Sequence, residues 1–232
     1  MPATIPLVAR QICAELGKPP KVFTLALRRT EKMLRGVISR RRPTAASPGA
    51  PTRWGWLPLA APGYTAGMIQ TGERLPEATL FESVEFGEAC PVSPSRVNAA
   101  QAAQGKRVVI FGLPGAFTPT CSAKHLPGYL QHLPALKAKG VDEVWCVSVN
   151  DGYVMAVWGR DQGVIGKIRM LGDGNGELAR KLGLERETAD MGLRMRRCSL
   201  LVDDGIVRQV NVEEKGVFGV SSAESMLAQL GG

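Results

Sequence analysis

Residues 107–121 read Arg-Val-Val-Ile-Phe-Gly-Leu-Pro-Gly-Ala-Phe-Thr-Pro-Thr-Cys, an apolar run followed by a loop rich in Pro, Gly and Thr. A short apolar run that ends at a glycine is typical of a buried central strand. Residues 122–138 then place Tyr129 and several leucines at helical spacing, with Pro127 and Pro134 expected to kink or break the helix. The stretch therefore predicts a strand, a loop and a helix, the unit from which α/β sheets are built.

The rest of the chain continues this alternation. Strands are predicted at 144–149 and 168–171, and helices at 152–162 and 177–182. Asp203-Asp204-Gly205, between two strand-like runs, is a strong hairpin signal, and Ser221 or Ser222 is expected to cap a final helix. We therefore expect an α/β fold in which helices cover a central sheet with an antiparallel hairpin at one edge.

Composition excludes several classes of protein. Of the 232 residues, 44% are hydrophobic and 22% are charged, which rules out collagen-like, fully disordered and disulfide-rich chains. The best candidate for a membrane span, residues 54–68, is shorter than the roughly 20 apolar residues required and contains Pro58 and Pro62. We therefore expect no membrane insertion. The five cysteines are too few and too scattered for a disulfide framework.

The net charge of +8 is confined to the N-terminal third of the chain. Residues 1–72 hold 11 of the 29 basic residues and two of the 21 acidic ones, so residues 73–232 hold the other 18 and 19 and carry a net charge of −1. Because this body of the protein is neutral, we expect no nucleic-acid partner. The asymmetry needs a local explanation in the first third.

Residues 1–67 are rich in Arg, Pro, Gly, Ala and Ser and poor in acids. This composition predicts a disordered basic extension and resembles an organellar transit peptide. We expect a leader over 1–67 and one folded domain over 68–232, with a mitochondrion favoured over a plastid as the destination. The alternative is a basic tail without a destination, or sequence upstream of the true start codon, on a cytoplasmic protein.

Cys121 lies where the loop after the first strand enters a predicted helix. Ligands and reactive groups collect at this point of an α/β sheet. The positive end of the helix dipole and the free backbone N–H groups favour the thiolate, which is the nucleophilic form of cysteine. Thr118, three residues earlier, can place a hydroxyl on the same side of the first turn. The sequence therefore predicts a reactive cysteine.

The pattern Pro114-x-x-x-Thr118-x-x-Cys121 is similar to the active-site motif of the peroxiredoxins. Lys124-His-Leu-Pro-Gly128 resembles the type II, or peroxiredoxin-5, subfamily, and similar segments follow in order at 147–151, 158–159, 173–176 and 211–214. The resemblance covers residues 70–232 and implies a thioredoxin-like fold with a central mixed sheet flanked by helices. It also implies a thiol peroxidase that reduces hydrogen peroxide and organic hydroperoxides, in redox homeostasis and oxidative-stress defence, with no cofactor and no metal.

The resemblance assigns a role to each residue of the motif. Cys121 would attack a peroxide oxygen and become a sulfenic acid, Thr118 would hydrogen-bond the sulfur and the peroxide, and Pro114 would shield the pocket from water. The family also uses an arginine that stabilises the thiolate and the charge developing across the O–O bond. Arg197, directly before a predicted strand, is our choice, although Met195 stands where the family has serine.

Cys146 follows Cys121 by 25 residues, the spacing at which plant-type members of the subfamily place a resolving cysteine. A disulfide needs Cα atoms within about 7 Å, so Cys121 would have to leave its helical turn. A core cysteine, with an external thiol as resolving group, is the alternative.

The resemblance implies glutathione with glutaredoxin, or thioredoxin, as reductant, and a monomer or homodimer. We expect His125 to be structural, and Cys198 replaces an aromatic residue of the relatives.

Two other functional classes compete with a peroxidase. A protein disulfide reductase on the same scaffold would need a Cys-x-x-Cys motif, which is absent because position 118 is Thr and position 124 is Lys. A peroxide-sensing redox relay or chaperone would share the first oxidation step, so the sequence leaves this alternative open.

Overall fold

The computed structural model describes residues 67–231. The predicted leader, residues 1–67, lies outside the described residues apart from Gly67. The strands are β1 (Thr79–Glu82), β2 (Ser95–Asn98), β3 (Arg107–Leu113), β4 (Glu143–Ser148), β5 (Arg169–Gly172), β6 (Glu185–Thr188), β7 (Gly192–Met195), β8 (Cys198–Asp203) and β9 (Ile206–Val212). The α-helices are α1 (Ala99–Ala102), α2 (Leu126–Ala138), α3 (Gly152–Asp161), α4 (Glu177–Lys181) and α5 (Ala223–Gln229), and a π-helical turn, Cys121–His125, precedes α2.

Seven of these strands form one mixed sheet in the order β2-β1-β5-β4-β3-β8-β9. The central strands β3, β4 and β5 are parallel, and the strands on either side of them are antiparallel. The β8–β9 hairpin turns at Asp204 and Gly205, both with positive φ, as a two-residue turn requires. The predicted α/β fold with an antiparallel hairpin at one edge is confirmed.

Alternate residues of each strand face opposite sides of the sheet, which divides the interior into two cores. Val109 and Phe111 face what we call the front core, which contains Cys121 and side chains of α2, α3 and α5. Val108 and Ile110 face what we call the back core, which contains side chains of α1 and α4. Because β3 is buried on both faces, its sequence is a continuous apolar run.

The structure differs from the sequence-based expectation in four places. β1, β2 and α1 precede the first apolar strand and are not predicted from the sequence, nor is the separate β6–β7 hairpin. The π-helical turn is not predicted either. The sequence predicts a kink or a break in the following helix, and the break is wrong, since α2 continues through Pro134 to Ala138. Pro127 lies in the first turn of α2, where a missing N–H costs little.

None of the helices between residues 67 and 231 has the length and apolarity needed to cross a bilayer.

Candidate active site

Cys121 begins the π-helical turn and is completely buried in the front core. The N–H of Leu126 bonds to the carbonyl of Cys121, five residues back, which defines the wider turn. The loop between β3 and this turn is attached to the end of β4, because Asn150 Oδ1 accepts a hydrogen bond of 3.0 Å from the N–H of Ala116. Phe117 in this loop has a φ of 59°, a strained value for a residue other than glycine.

Arg197 lies against the sulfur of Cys121. Its Nη1 and Nη2 atoms are each 3.5 Å from Sγ. The sheet explains this approach, since the antiparallel register of β3 and β8 pairs Gly112 with Cys198 and so brings Arg197 to the end of β3, where the loop that leads to Cys121 begins. A guanidinium that directs two N–H donors at one atom is well suited to hold a negative charge there.

Thr118 and Pro114 lie on either side of the same loop. The hydroxyl of Thr118 donates a hydrogen bond of 2.9 Å to the carbonyl of Gly115, which leaves the oxygen lone pairs free to accept a bond from a ligand. Pro114 lines a cavity of about 530 Å³ together with Thr120 and Arg197. Of the four predicted catalytic residues, Pro114 and Arg197 line this cavity, and Arg197 also contacts the buried sulfur of Cys121. Thr118 lies on the same loop but is not among the residues that line the cavity.

Within residues 67–231, no group of three or more His, Cys, Asp and Glu side chains could hold a metal ion. The chemistry that the described residues offer is that of a cysteine sulfur next to a fixed positive charge and a hydroxyl. A thiolate in this setting is a nucleophile toward small electrophiles.

Comparison with known proteins decides the family. The Redoxin family model matches residues 70–227. Peroxiredoxin-2B of Arabidopsis thaliana is 44% identical over 164 residues, which cover 70% of this chain and 98% of the relative. Peroxiredoxin-2E, chloroplastic, of the same plant is 43% identical over 167 residues, covering 70% of this chain and 69% of the relative. The chain belongs to the peroxiredoxin family.

A solved structure supports the fold assignment. Reduced Prx3 of Vibrio vulnificus, in complex with hydrogen peroxide, is 44% identical and aligns with a TM-score of 0.65 over 70% of this chain and 99% of its own. The resemblance to peroxiredoxins and the expected thioredoxin-like fold are thereby confirmed. This peroxiredoxin is a thiol peroxidase, an oxidoreductase that reduces peroxide with electrons from a thiol.

His125 is part of the site, a position that the sequence analysis did not give it. Its Nδ1 lies 3.1 Å from Nη1 of Arg197, and its Nε2 lies 3.1 Å from the carbonyl of Ser221. Burial and the neighbouring charge of Arg197 lower the pKa of His125 to about 3, so the ring is neutral. The hydrogen-bond network then assigns the proton to Nε2, with Nδ1 accepting from Arg197. The signal in the sequence that could have placed His125 at the site is its position four residues after Cys121, which puts both residues on one face of a helix.

Glu213 follows β9 and contacts the backbone of Arg197. Its N–H donates 2.9 Å to the carbonyl of Arg197, and its carboxylate accepts from the N–H groups of Gly219 and Ser221 and from the Ser221 hydroxyl. Burial alone would raise the pKa of Glu213, but these hydrogen bonds and the charge of Arg197 hold it below its usual value. Glu213 therefore stays ionised near the arginine.

The remaining cysteines of the described residues occupy different environments. Cys146 is completely buried in the front core, between Phe111 of β3 and Met170 of β5 in the register of the sheet. Burial raises the pKa of Cys146 well above its usual value. Cys198 is in the back core, on the side of the sheet away from Cys121, and burial raises its pKa to about 12. Cys90 is exposed, and all four described cysteines are free thiols.

Proposed function

We propose that this peroxiredoxin is a type II enzyme that reduces hydrogen peroxide and organic hydroperoxides through Cys121 as its peroxidatic cysteine. The observation that carries this proposal is the approach of both Nη atoms of Arg197 to the Cys121 sulfur at 3.5 Å. A fixed guanidinium at this distance stabilises the thiolate and also the negative charge that moves onto the peroxide oxygens in the transition state.

The reaction is a displacement at oxygen. The Cys121 thiolate attacks one peroxide oxygen, the S–O bond forms as the O–O bond breaks, and the sulfur retains the OH group as a sulfenic acid. The other oxygen leaves as hydroxide or alkoxide and takes up a proton, giving water or an alcohol. Thr118 accepts a hydrogen bond from the peroxide and orients it, and Arg197 holds the oxygen that gains charge. Pro114 excludes water from the sulfur.

The Cys121→Ser variant tests the assignment. Serine has no accessible anion at neutral pH, so we expect peroxide turnover to be lost while the far-UV circular dichroism spectrum is retained. Cys90→Ser is the matched control, because Cys90 is exposed and has no assigned role. Substantial residual turnover in Cys121→Ser would contradict the proposal. A single stoichiometric burst in the wild-type protein, without further turnover, would favour the redox relay instead.

The cycle closes when a thiol reduces the sulfenic acid, and Cys146 is the internal candidate. Cys146 shares the front core with Cys121, which supports a disulfide between them. Cys146 is also held in a central strand that pairs on both sides, so Cys121 rather than Cys146 has to move. The strained loop and the π-helical turn provide a segment that opens at low cost. Either glutathione with glutaredoxin or thioredoxin would then supply the electrons.

We propose that residues 1–67 form a leader and that the catalytic domain begins at Met68. The concentration of positive charge in the first third supports import into an organelle. Mitochondrial import is our first expectation, and the chloroplastic relative makes a plastid the alternative. A fusion of residues 1–67 to a reporter, imaged with markers for both organelles, should colocalise with one of them. A cytosolic reporter, or loss of peroxidase activity in a chain that starts at Met68, would contradict this division.

A further inference from the structure

The orientation of the Arg197 guanidinium determines how strongly its charge acts on the Cys121 sulfur. Its Nη1 and Nη2 atoms are each 3.5 Å from Sγ. An arginine side chain has many rotamers, and that of Arg197 is only partly buried. It therefore keeps this position only if other groups hold it there. The groups that hold the guanidinium are then part of what makes Cys121 reactive.

His125 holds the nitrogen of the guanidinium that also approaches the sulfur. Its Nδ1 lies 3.1 Å from Nη1 of Arg197. Nη1 carries two hydrogens, so one can point toward Sγ while the other points toward Nδ1. Cys121 and His125 are the first and last residues of the π-helical turn. The turn therefore presents both acceptors to one nitrogen of the same arginine.

The ring of His125 is fixed in orientation and in tautomer. It packs against Phe111 and Phe218, whose ring centroids are 5.0 and 5.1 Å away, and its Nε2 lies 3.1 Å from the carbonyl of Ser221. Because a carbonyl only accepts hydrogen bonds, Nε2 carries the proton of the neutral ring and Nδ1 keeps its lone pair. The lone pair therefore faces the guanidinium.

The carbonyl that orients His125 is itself held in place. Ser221 is completely buried, and Oε1 of Glu213 accepts hydrogen bonds from its N–H at 2.8 Å and from its hydroxyl at 2.9 Å. The N–H of Glu213 in turn donates 2.9 Å to the carbonyl of Arg197. Starting from the guanidinium, the contacts therefore return to the backbone of the same arginine.

A neutral acceptor suits this position better than a charged one. A carboxylate paired with the guanidinium would offset its positive charge and weaken its effect on the thiolate. None of the salt bridges formed among residues 67–231 includes Arg197. We propose that His125 is a positioning residue, whose unprotonated Nδ1 holds the guanidinium of Arg197 at the Cys121 sulfur and leaves its charge intact; the proposal rests on the proposed function of Cys121.

A double-mutant cycle separates this role from a purely structural one. The rate constant for oxidation of Cys121 by hydrogen peroxide is measured by dimedone trapping in the wild type, His125→Gln, Arg197→Gln and the double variant. Glutamine can still donate to the Ser221 carbonyl but places no acceptor beside Nη1, so His125→Gln should lose about tenfold. If His125 acts through Arg197, the same substitution in the Arg197→Gln protein should change the rate by less than about twofold.

Two further variants define the contact. Asparagine places its amide oxygen near the position of Nδ1, so His125→Asn should return the rate to within about threefold of the wild type. His132→Gln is the matched control. His132 is the other histidine of the chain, and its Nε2 contacts Glu224 of α5. This control should leave the rate unchanged.

A measurement on the wild-type protein keeps the inference testable even if the His125 variants do not fold. In protein labelled with ¹⁵N-histidine, two-bond ¹H–¹⁵N correlation spectra distinguish the two neutral tautomers, and His132→Gln assigns the signals. We expect His125 to carry its proton on Nε2 at neutral pH.

Three results would overturn the inference. The first is a His125 ring that is protonated on Nδ1. The second is a His125→Gln rate equal to that of the wild type or of His125→Asn, and the third is a loss that is as large in the Arg197→Gln protein as in the wild type. Failure of hydrogen peroxide to oxidise wild-type Cys121 would instead contradict the proposed function, and the first measurement of the cycle reports it separately.

Discussion

The Arg197→Gln variant measures how much the guanidinium contributes to the reactivity of Cys121. Two unit charges 3.5 Å apart interact by about 4 to 5 kcal/mol at an effective dielectric constant of about 20. Glutamine keeps a hydrogen-bond donor but no charge, and Arg197 is partly exposed, so we expect about 3 kcal/mol to be lost. Since each 1.4 kcal/mol is about a factor of ten, the second-order rate constant for oxidation by hydrogen peroxide should fall about a hundredfold.

The assay traps the sulfenic acid of Cys121 with dimedone at timed intervals and counts the adduct by mass spectrometry. Arg197→Lys keeps the charge but directs a single ammonium at the sulfur, so an intermediate loss of about tenfold is expected. Arg208→Gln, at an exposed position on β9, is the control for loss of one positive charge elsewhere. An Arg197→Gln rate within threefold of the wild type, in a protein with unchanged thermal stability, would refute the electrostatic reasoning.

Three further perturbations test other parts of the structure. The pKa of His125 in the folded protein is about 3, below its usual 6.5. The neutral buried ring therefore contributes its full stability above pH 6.5, and this contribution is lost as the pH falls toward 3. The free energy of unfolding in urea should drop by about 2 kcal/mol between pH 7 and pH 5, and His125→Gln should remove most of that drop. If Cys146 resolves, one equivalent of peroxide should leave a Cys121–Cys146 linked peptide pair, and Cys146→Ser should lose thioredoxin-supported turnover but keep the first oxidation; an unchanged rate without the linked pair would leave Cys146 a core residue. A Cβ at Gly172 would lie 2.6 Å from the backbone nitrogen of Gly152. Gly172→Ala should therefore lower the melting temperature, with a cost of about 1 to 3 kcal/mol or more. Gly128 lies in open space within α2, so Gly128→Ala should raise the melting temperature slightly. Equal melting temperatures for the two alanine variants would contradict the packing argument.

The central strands could be predicted because burial on both faces produces a local run of apolar residues. β3 and β4 are covered on both faces, so their interior positions, 108–113 and 144–147, form uninterrupted apolar runs that are easily recognised. β1 and β2 have four residues each, with only Leu80 among them fully buried. Their strand conformation depends on pairing with each other, which a local pattern does not contain. The same applies to the β6–β7 hairpin.

The residues of the candidate site likewise fall into two groups, those that the local sequence places together and those that only the fold brings close. Pro114, Thr118 and Cys121 lie within eight residues, so one short motif predicts their proximity. Arg197 reaches the sulfur through the register of β3 and β8, which the sequence does not show and only the family resemblance suggested. The role of His125 depends on its burial against Phe218 and on the carbonyl of Ser221, both distant in the chain. Its neutral state is therefore a property of the fold rather than of its neighbours in sequence.

The hydrogen bond from the indole of Trp158 to the hydroxyl of Ser122, 3.1 Å long, connects α3 to the residue that follows Cys121. Indole emission depends on the hydrogen bond and on the polarity around the ring. Unwinding of the π-helical turn breaks this bond, whereas oxidation within an intact turn preserves it. Trp145, the other tryptophan of residues 67–231, lies in the back core across the sheet. In a chain that starts at Met68, we therefore expect the fluorescence of Trp158 to report whether the turn is open or closed.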